Sequence, residues 1–154
     1  MEQYEKRYLY KRVVQAKLFI DQHYAEHIDL NNIADQASFS KFHFIRLFKT
    51  IYGKTPHHYL TQVRIDQAQL LLMKAVSISE VCFAVGFGSV TSFTGLFKKV
   101  VGVAPSTFQL HQKKRHEAMQ VHPLRFVPNC FSEMHGWSKN SNSQEMALSS
   151  FAHF

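Results

Sequence analysis

The sequence predicts an all-α fold in which two helix-turn-helix subdomains are joined by a long linker helix and followed by an irregular C-terminal tail. Two observations carry this prediction. Apolar residues recur at helical spacings of three and four along most of the chain, with Gly and Pro collected between the periodic stretches. In addition, two segments of about thirty residues match each other, Leu30–Tyr59 and Ile78–Phe108. Leu30, Ile33 and Ala37 correspond to Ile78, Val81 and Val85 at an offset of 48. After a one-residue insertion near Gly88 the offset is 49, and Phe44, Phe48, Lys49, Gly53, Pro56 and Tyr59 align with Phe93, Phe97, Lys98, Gly102, Pro105 and Phe108. With only two copies, paired subunits are a better reading than a solenoid.

Taken in order, Tyr8–Tyr24 places Leu9, Val13, Ala16, Ile20 and Tyr24 on one face, an amphipathic helix that would brace the first unit. The first unit spans about 30–53. Leu30, Ile33, Ala34 and Ala37 give a first helix, and Ser38-Phe39-Ser40 gives a turn whose last Ser can cap a second. That second helix separates Phe44, Leu47, Phe48 and Ile51 from Lys41, Phe42, Ile45, Arg46 and Lys49 on the other side. Gly53 suits the C-terminal stop, and Thr55-Pro56 reopens a helix. His57–Lys74 holds no Gly or Pro and reads as a continuous rod of about 27 Å at 1.5 Å per residue.

The second unit, about 78–102, repeats the plan. Ile78, Val81, Cys82 and Val85 form its first stripe, with Cys82 acting as a buried small hydrophobe. Gly86-Phe87-Gly88-Ser89 makes the turn. Phe93, Leu96, Phe97 and Val100 point inward, leaving Thr91, Thr94, Gly95 and Lys98 outward. From Glu117 the composition changes: Pro123, Pro128 and Gly136 interrupt a segment that still carries Phe126, Val127, Phe131, Met134, Trp137 and Phe151. The domain is accordingly placed at 8–116 and an extension of unassigned role at 117–154.

Charge narrows the function classes. The chain of 154 residues carries a formal charge of +7, and the excess is local. Residues 54–116 hold 8 basic and 2 acidic side chains, against 8 and 6 in residues 1–53 and 2 and 3 in residues 117–154. A basic field of this kind is the footprint of a phosphate-bearing partner. No apolar run suggests a membrane span, and the opening MEQYEKRYLYKR lacks a signal-peptide core, so a cytoplasmic protein is expected. Two cysteines cannot make a disulfide framework. Neither the adjacent His57 and His58 nor His111 and His116 have metal-chelating spacing, and His23 and His43 suit capping or surface positions. The sequence has no nucleophile elbow, phosphate-binding glycine loop or HExxH helix, so neither an enzyme nor a cofactor is expected.

The segments IADQASFSKFHFIRLFKTIYGKTPHHYLTQVRIDQAQLLL and ISEVCFAVGFGSVTSFTGLFKKVVGVAPSTF resemble the DNA-binding domain of the AraC/XylS family of transcription regulators, over about Val13 to Gln112. The most specific part is GFGSVTSFTGLFKKVVGVAPSTF. The resemblance implies about seven helices, sequence-specific binding of bacterial promoter DNA, usually activation, and contact with RNA polymerase. It also implies that bases are read by the outward faces of the helices beginning at Ser40 and Ser89. On those faces Phe42, Ile45, Arg46, Thr91, Ser92, Thr94 and Gly95 are the expected base-reading set. Arg46 is suited to a bidentate guanine contact, and Phe42 and Ile45 to thymine methyl groups. Ser40, Lys41, Lys49, Ser89, Lys98 and Lys99 are the expected phosphate contacts.

Gly95 stands where many relatives have arginine, and Gln109 replaces a basic residue that often follows the Pro-x-x-aromatic element. The first unit is therefore expected to supply most of the specificity, and the second to dock mainly on phosphates. About eight residues precede the first helix, a layout similar to stand-alone activators that bind DNA as monomers rather than as obligate dimers. The competing readings are a regulator that has lost its sensor, a helical protein-interaction module, and a ligand sensor that couples the tail to DNA binding.

Overall fold

The computed structural model describes residues 2–28 and 40–134. Its helices are α1 (Glu2–His23), α2 (Lys41–Tyr52), α3 (Pro56–Met73), α4 (Ile78–Ala84), α5 (Val90–Val101), α6 (Pro105–Val121) and the short α7 (Asn129–Met134). A 3-10 turn, Pro123–Phe126, separates the last two, and the described residues contain no strand. The expected helix Leu30–Ala37 and the turn through Phe39 lie outside the described residues.

Two cores form, and α3 serves both. Val13, Ala16 and Ile20 of α1 meet Phe44 and Phe48 of α2 and Leu60 of α3. The second core gathers Ile65, Ala68 and Leu72 of α3, Val81 and Cys82 of α4 with Val85 just beyond it, Phe93 and Phe97 of α5, and Phe108 of α6. This division explains why the rod lacks a single apolar stripe: its first turns face one lobe and its last turns the other. Each large side chain fully withdrawn from water contributes about 1.5–3 kcal/mol, so both lobes depend on the rod.

The internal repeat is geometric as well as textual. Phe44 and Phe48 pack edge to face, with ring centroids 5.5 Å apart at 65°; Phe93 and Phe97 do the same at 5.6 Å and 63°. The next aromatic follows suit, with Phe48–Tyr59 at 5.7 Å and Phe97–Phe108 at 5.6 Å. α2 and α5 stop alike. Gly53 (φ 71°) and Gly102 (φ 88°) adopt the left-handed conformation, and their N–H groups donate to Lys49 O and Lys98 O at 2.9 Å. Pro56 and Pro105 then start α3 and α6 in the first turn, where a missing N–H costs nothing.

Several details depart from the sequence reading. Val100, expected to face inward, is 40% exposed. The contacting row follows the four-residue spacing from Phe93 and Phe97 to Val101, which packs on the core instead. α1 begins at Glu2 rather than near Tyr8, because nothing in residues 2–7 breaks a helix. α6 runs through the change in composition at Glu117 as far as Val121, and the first breaker named in that segment, Pro123, opens the 3-10 turn. Of the tail's apolar residues, Phe126, Phe131 and Met134 are exposed, while Trp137 and Phe151 lie outside the described residues.

Candidate nucleic-acid interface

The two phenylalanine pairs determine which way the opposite faces point. With Phe44 and Phe48 buried, α2 presents Lys41, Phe42, Arg46 and Lys49 to solvent, and Ile45 is half-buried beside them. α5 presents Thr91, Ser92, Gly95, Lys98 and Lys99, with Thr94 half-buried. Phe42, Arg46 and Lys49 occupy one row at spacings of four and three, and Thr91, Gly95 and Lys98 occupy its equivalent. Lysine is the one residue common to both rows. Phe42 is 80% exposed, the most open of the large apolar side chains among the described residues. Neither α2 nor α5 contains an acidic residue, so nothing on either helix opposes an approaching phosphate.

The helix starts differ. Ser89 is a full cap: its Oγ accepts from the Ser92 N–H at 3.2 Å and donates to Ser92 Oγ at 2.9 Å. Ser92 is thus tied into the cap as well as standing on the exposed face. Ser40 has the extended backbone of a cap, but its hydroxyl makes no capping bond, contrary to the role its position suggested. Both serines are exposed at helix N-termini, where backbone N–H groups and the helix dipole favour an anion.

Some residues that position these faces carry no obvious sequence signal. Gln109 lies at the far end of the rod rather than on an outer face. Its Nε2 donates to Val76 O at 2.8 Å and Leu72 O at 3.4 Å, spanning the turn where Ala75 takes a left-handed φ of 60°. The amide offers two N–H donors and bridges these carbonyls around a strained non-glycine residue. Arg64 behaves comparably at mid-rod, donating to two backbone carbonyls of the turn after α1. Tyr59 anchors the rod's start to α1, its hydroxyl donating to Asp21 Oδ1 at 2.8 Å while Lys17 donates to the other carboxylate oxygen at 2.6 Å. No group of three His, Cys, Asp or Glu side chains with metal-binding geometry occurs among the described residues. No described helix is long and apolar enough to cross a membrane.

The chain matches a family model described as a helix-turn-helix domain over residues 33–111, just over half its length. It is 34% identical over 85 residues to a probable transcription factor, PqrA, of Proteus vulgaris, covering 54% of this chain and 70% of the relative. Against three other curated relatives the chain spans only 25–37% of their length. The DNA-binding domain of AdpA, a global transcriptional factor solved in complex with a target DNA, superposes with a TM-score of 0.65 at 28% identity, over 68% of this chain and 95% of that one. An AraC-type DNA-binding-domain regulator from Chromobacterium violaceum shares the fold, with a TM-score of 0.61 at 23% identity over 66% and 92% of the two chains.

Proposed function

The chain belongs to the AraC family of helix-turn-helix DNA-binding transcriptional regulators, and from that premise we propose that it activates bacterial promoters by placing α2 and α5 in successive major grooves. The observation that carries this reading is the pairing of equivalent exposed rows, Phe42/Arg46/Lys49 and Thr91/Gly95/Lys98, on the two ends of one 18-residue rod. A rod of about 27 Å suits a duplex whose grooves recur about every 34 Å.

The rows divide the labour. Arg46 reads guanine through its two-pronged guanidinium, and Phe42 and Ile45 rest on thymine methyl groups. Thr91, Ser92 and Thr94 make short, adaptable contacts around the gap left by Gly95. Ser40, Lys41, Lys49, Ser89, Lys98 and Lys99 neutralise or hydrogen-bond phosphates, adding salt-sensitive affinity without sequence information. The chain acts as a monomer on DNA in the bacterial cytoplasm, touches RNA polymerase, and has no catalytic role or cofactor. AdpA's domain, matched almost end to end, was solved on a target DNA, which supports the same class of partner here.

The test begins with selecting bound duplexes from a random pool. On the selected duplex Arg46→Ala weakens binding by roughly ten- to a hundredfold, and far less on a scrambled one. Lys98→Ala weakens both alike and lowers the salt slope by about 1. Equal losses for Arg46→Ala on both duplexes overturn the base-reading assignment. With the selected site upstream of a reporter promoter, raised transcription supports activation; lowered or unchanged transcription overturns it.

A further inference from the structure

The turn after α1 is gripped from two directions. Its own closure is the Glu26 N–H donating to His23 O at 2.9 Å. From the rod, Arg64 Nε donates to Tyr24 O at 2.7 Å and Nη2 to Glu26 O at 2.8 Å. The same guanidinium lies over the Phe87 ring, 5.7 Å from its centroid, and Phe87 belongs to the turn that launches α5. On the other side Gly86, at φ 86°, meets the turn backbone to backbone. A Cβ there would stand 2.6 Å from Ala25 O and 2.9 Å from Ala25 C, so only glycine fits. Tyr24 packs against both cores.

Two bodies joined by one helix can bend and twist about it. Here the second lobe is also attached directly to the first, through Gly86-Phe87 in the loop that leads into the Ser89 cap. We propose that Tyr24–Glu26, Arg64 and Gly86-Phe87 form a latch that sets the angle between α2 and α5, which makes Arg64 a positioning residue for the spacing of the two DNA half-sites. Arginine suits this position because its planar fork reaches two carbonyls and keeps a flat face for the ring, which a lysine ammonium cannot do. Two backbone acceptors 38 and 40 residues distant are thereby held by one side chain.

The consequence for DNA rests on the function proposed above; the latch itself does not, and the experiment separates them. Without DNA, probes at exposed Thr50→Cys and Val100→Cys, at the ends of α2 and α5, in a Cys130→Ser background report the interlobe distance. The distribution is narrow in the parent and broad in Arg64→Lys; an equally narrow distribution overturns the latch. With DNA, the selected duplex is compared with versions lengthened or shortened by one base pair, a change of about 3.4 Å and 34–36°, and with the first half-site alone. The parent loses at least about tenfold on either altered spacing. Arg64→Lys binds the selected spacing about tenfold more weakly, separates the three spacings by no more than about threefold, and matches the parent on the half-site. Uniform weakening on every duplex marks a merely structural residue and overturns the inference, as does a retained spacing preference. If Arg64→Lys does not fold, Phe87→Leu, which removes the ring under the guanidinium, is read by the same measures. A parent that binds no duplex, yet whose distance distribution responds to Arg64→Lys, refutes the DNA reading and leaves the latch standing.

Discussion

Phe42 and Phe44 are two positions apart and sit on opposite sides of α2, so truncating each has opposite consequences. A phenylalanine side chain offers about 150–250 Å², and Phe42 leaves 80% of its surface open. If a groove wall covers half of that, about 60–100 Å² leaves water, which at about 25 cal/mol/Å² is about 1.5–2.5 kcal/mol. Phe42→Ala therefore weakens binding of the selected duplex about ten- to seventyfold. Its stability changes by no more than about 0.5 kcal/mol, since a side chain 80% exposed has little packing to lose and alanine is the better helix former. Phe44→Ala empties a fully buried site and breaks the edge-to-face contact with Phe48, at a cost of about 3–5 kcal/mol of folding stability.

Urea melts of both variants give the stability difference, and fluorescence anisotropy with the selected duplex gives affinity. Replacing each thymine in turn by deoxyuridine removes only the C5 methyl group. At the contacted position the deoxyuridine penalty disappears in Phe42→Ala, because both changes delete the same interaction. Unchanged affinity for Phe42→Ala, or a loss of stability above about 1.5 kcal/mol, would refute the assignment of this side chain to the groove.

Other outcomes follow from the same geometry. Gly95 is exposed in the middle of α5 with open space where a Cβ would go, so Gly95→Ala raises stability by about 0.5–1 kcal/mol in a thermal or urea melt. Of the two thiols, exposed Cys130 reacts promptly with an aromatic disulfide reagent. Cys82 is wholly buried, with burial pushing its pKa up, and reacts only after denaturant is added; two fast equivalents would contradict its place in the core. Ser77 and Glu80 form a reciprocal cap on α4, so Ser77→Ala costs about 1 kcal/mol at neutral pH. Hydrogen bonds from the Ser77 hydroxyl and backbone N–H hold the Glu80 carboxyl below its usual range. Its folded pKa being the lower one, this contribution is present above about pH 4.5 and fades as the carboxylate is protonated at lower pH. Glu80→Gln accordingly flattens the acid limb of the stability profile, and an unchanged limb would refute the linkage.

What the sequence disclosed and what it withheld divide along physical lines. The buried rows of α2 and α5 were legible because a core-facing helix must repeat apolar residues every three or four positions, and Phe44, Phe48, Phe93 and Phe97 do so twice at one offset. The rod was legible from the lack of breakers in His57–Lys74, and the stops from Gly53 and Gly102. Arg64 was not, because its partners are main-chain carbonyls of a distant turn and leave no complementary residue type to notice. Gln109 read as a missing base because its target, the turn at Ala75, is unusual only in backbone angle. Val100 was misplaced because two adjacent rows serve equally well on a helical projection, and only the neighbouring helix decides between them. The continuation of α6 past Glu117 to Val121 was not legible from the change in composition there, because polar residues do not end a helix that contains neither glycine nor proline.

Since α3 lends Leu60 to one interior and Ile65, Ala68 and Leu72 to the other, neither half owns all that it needs to stand alone. Cut at the rod, each fragment would bare an oily seam. The molecule is therefore expected to melt in a single cooperative step, and whatever grips one end shores up the other, however far apart the two grips lie.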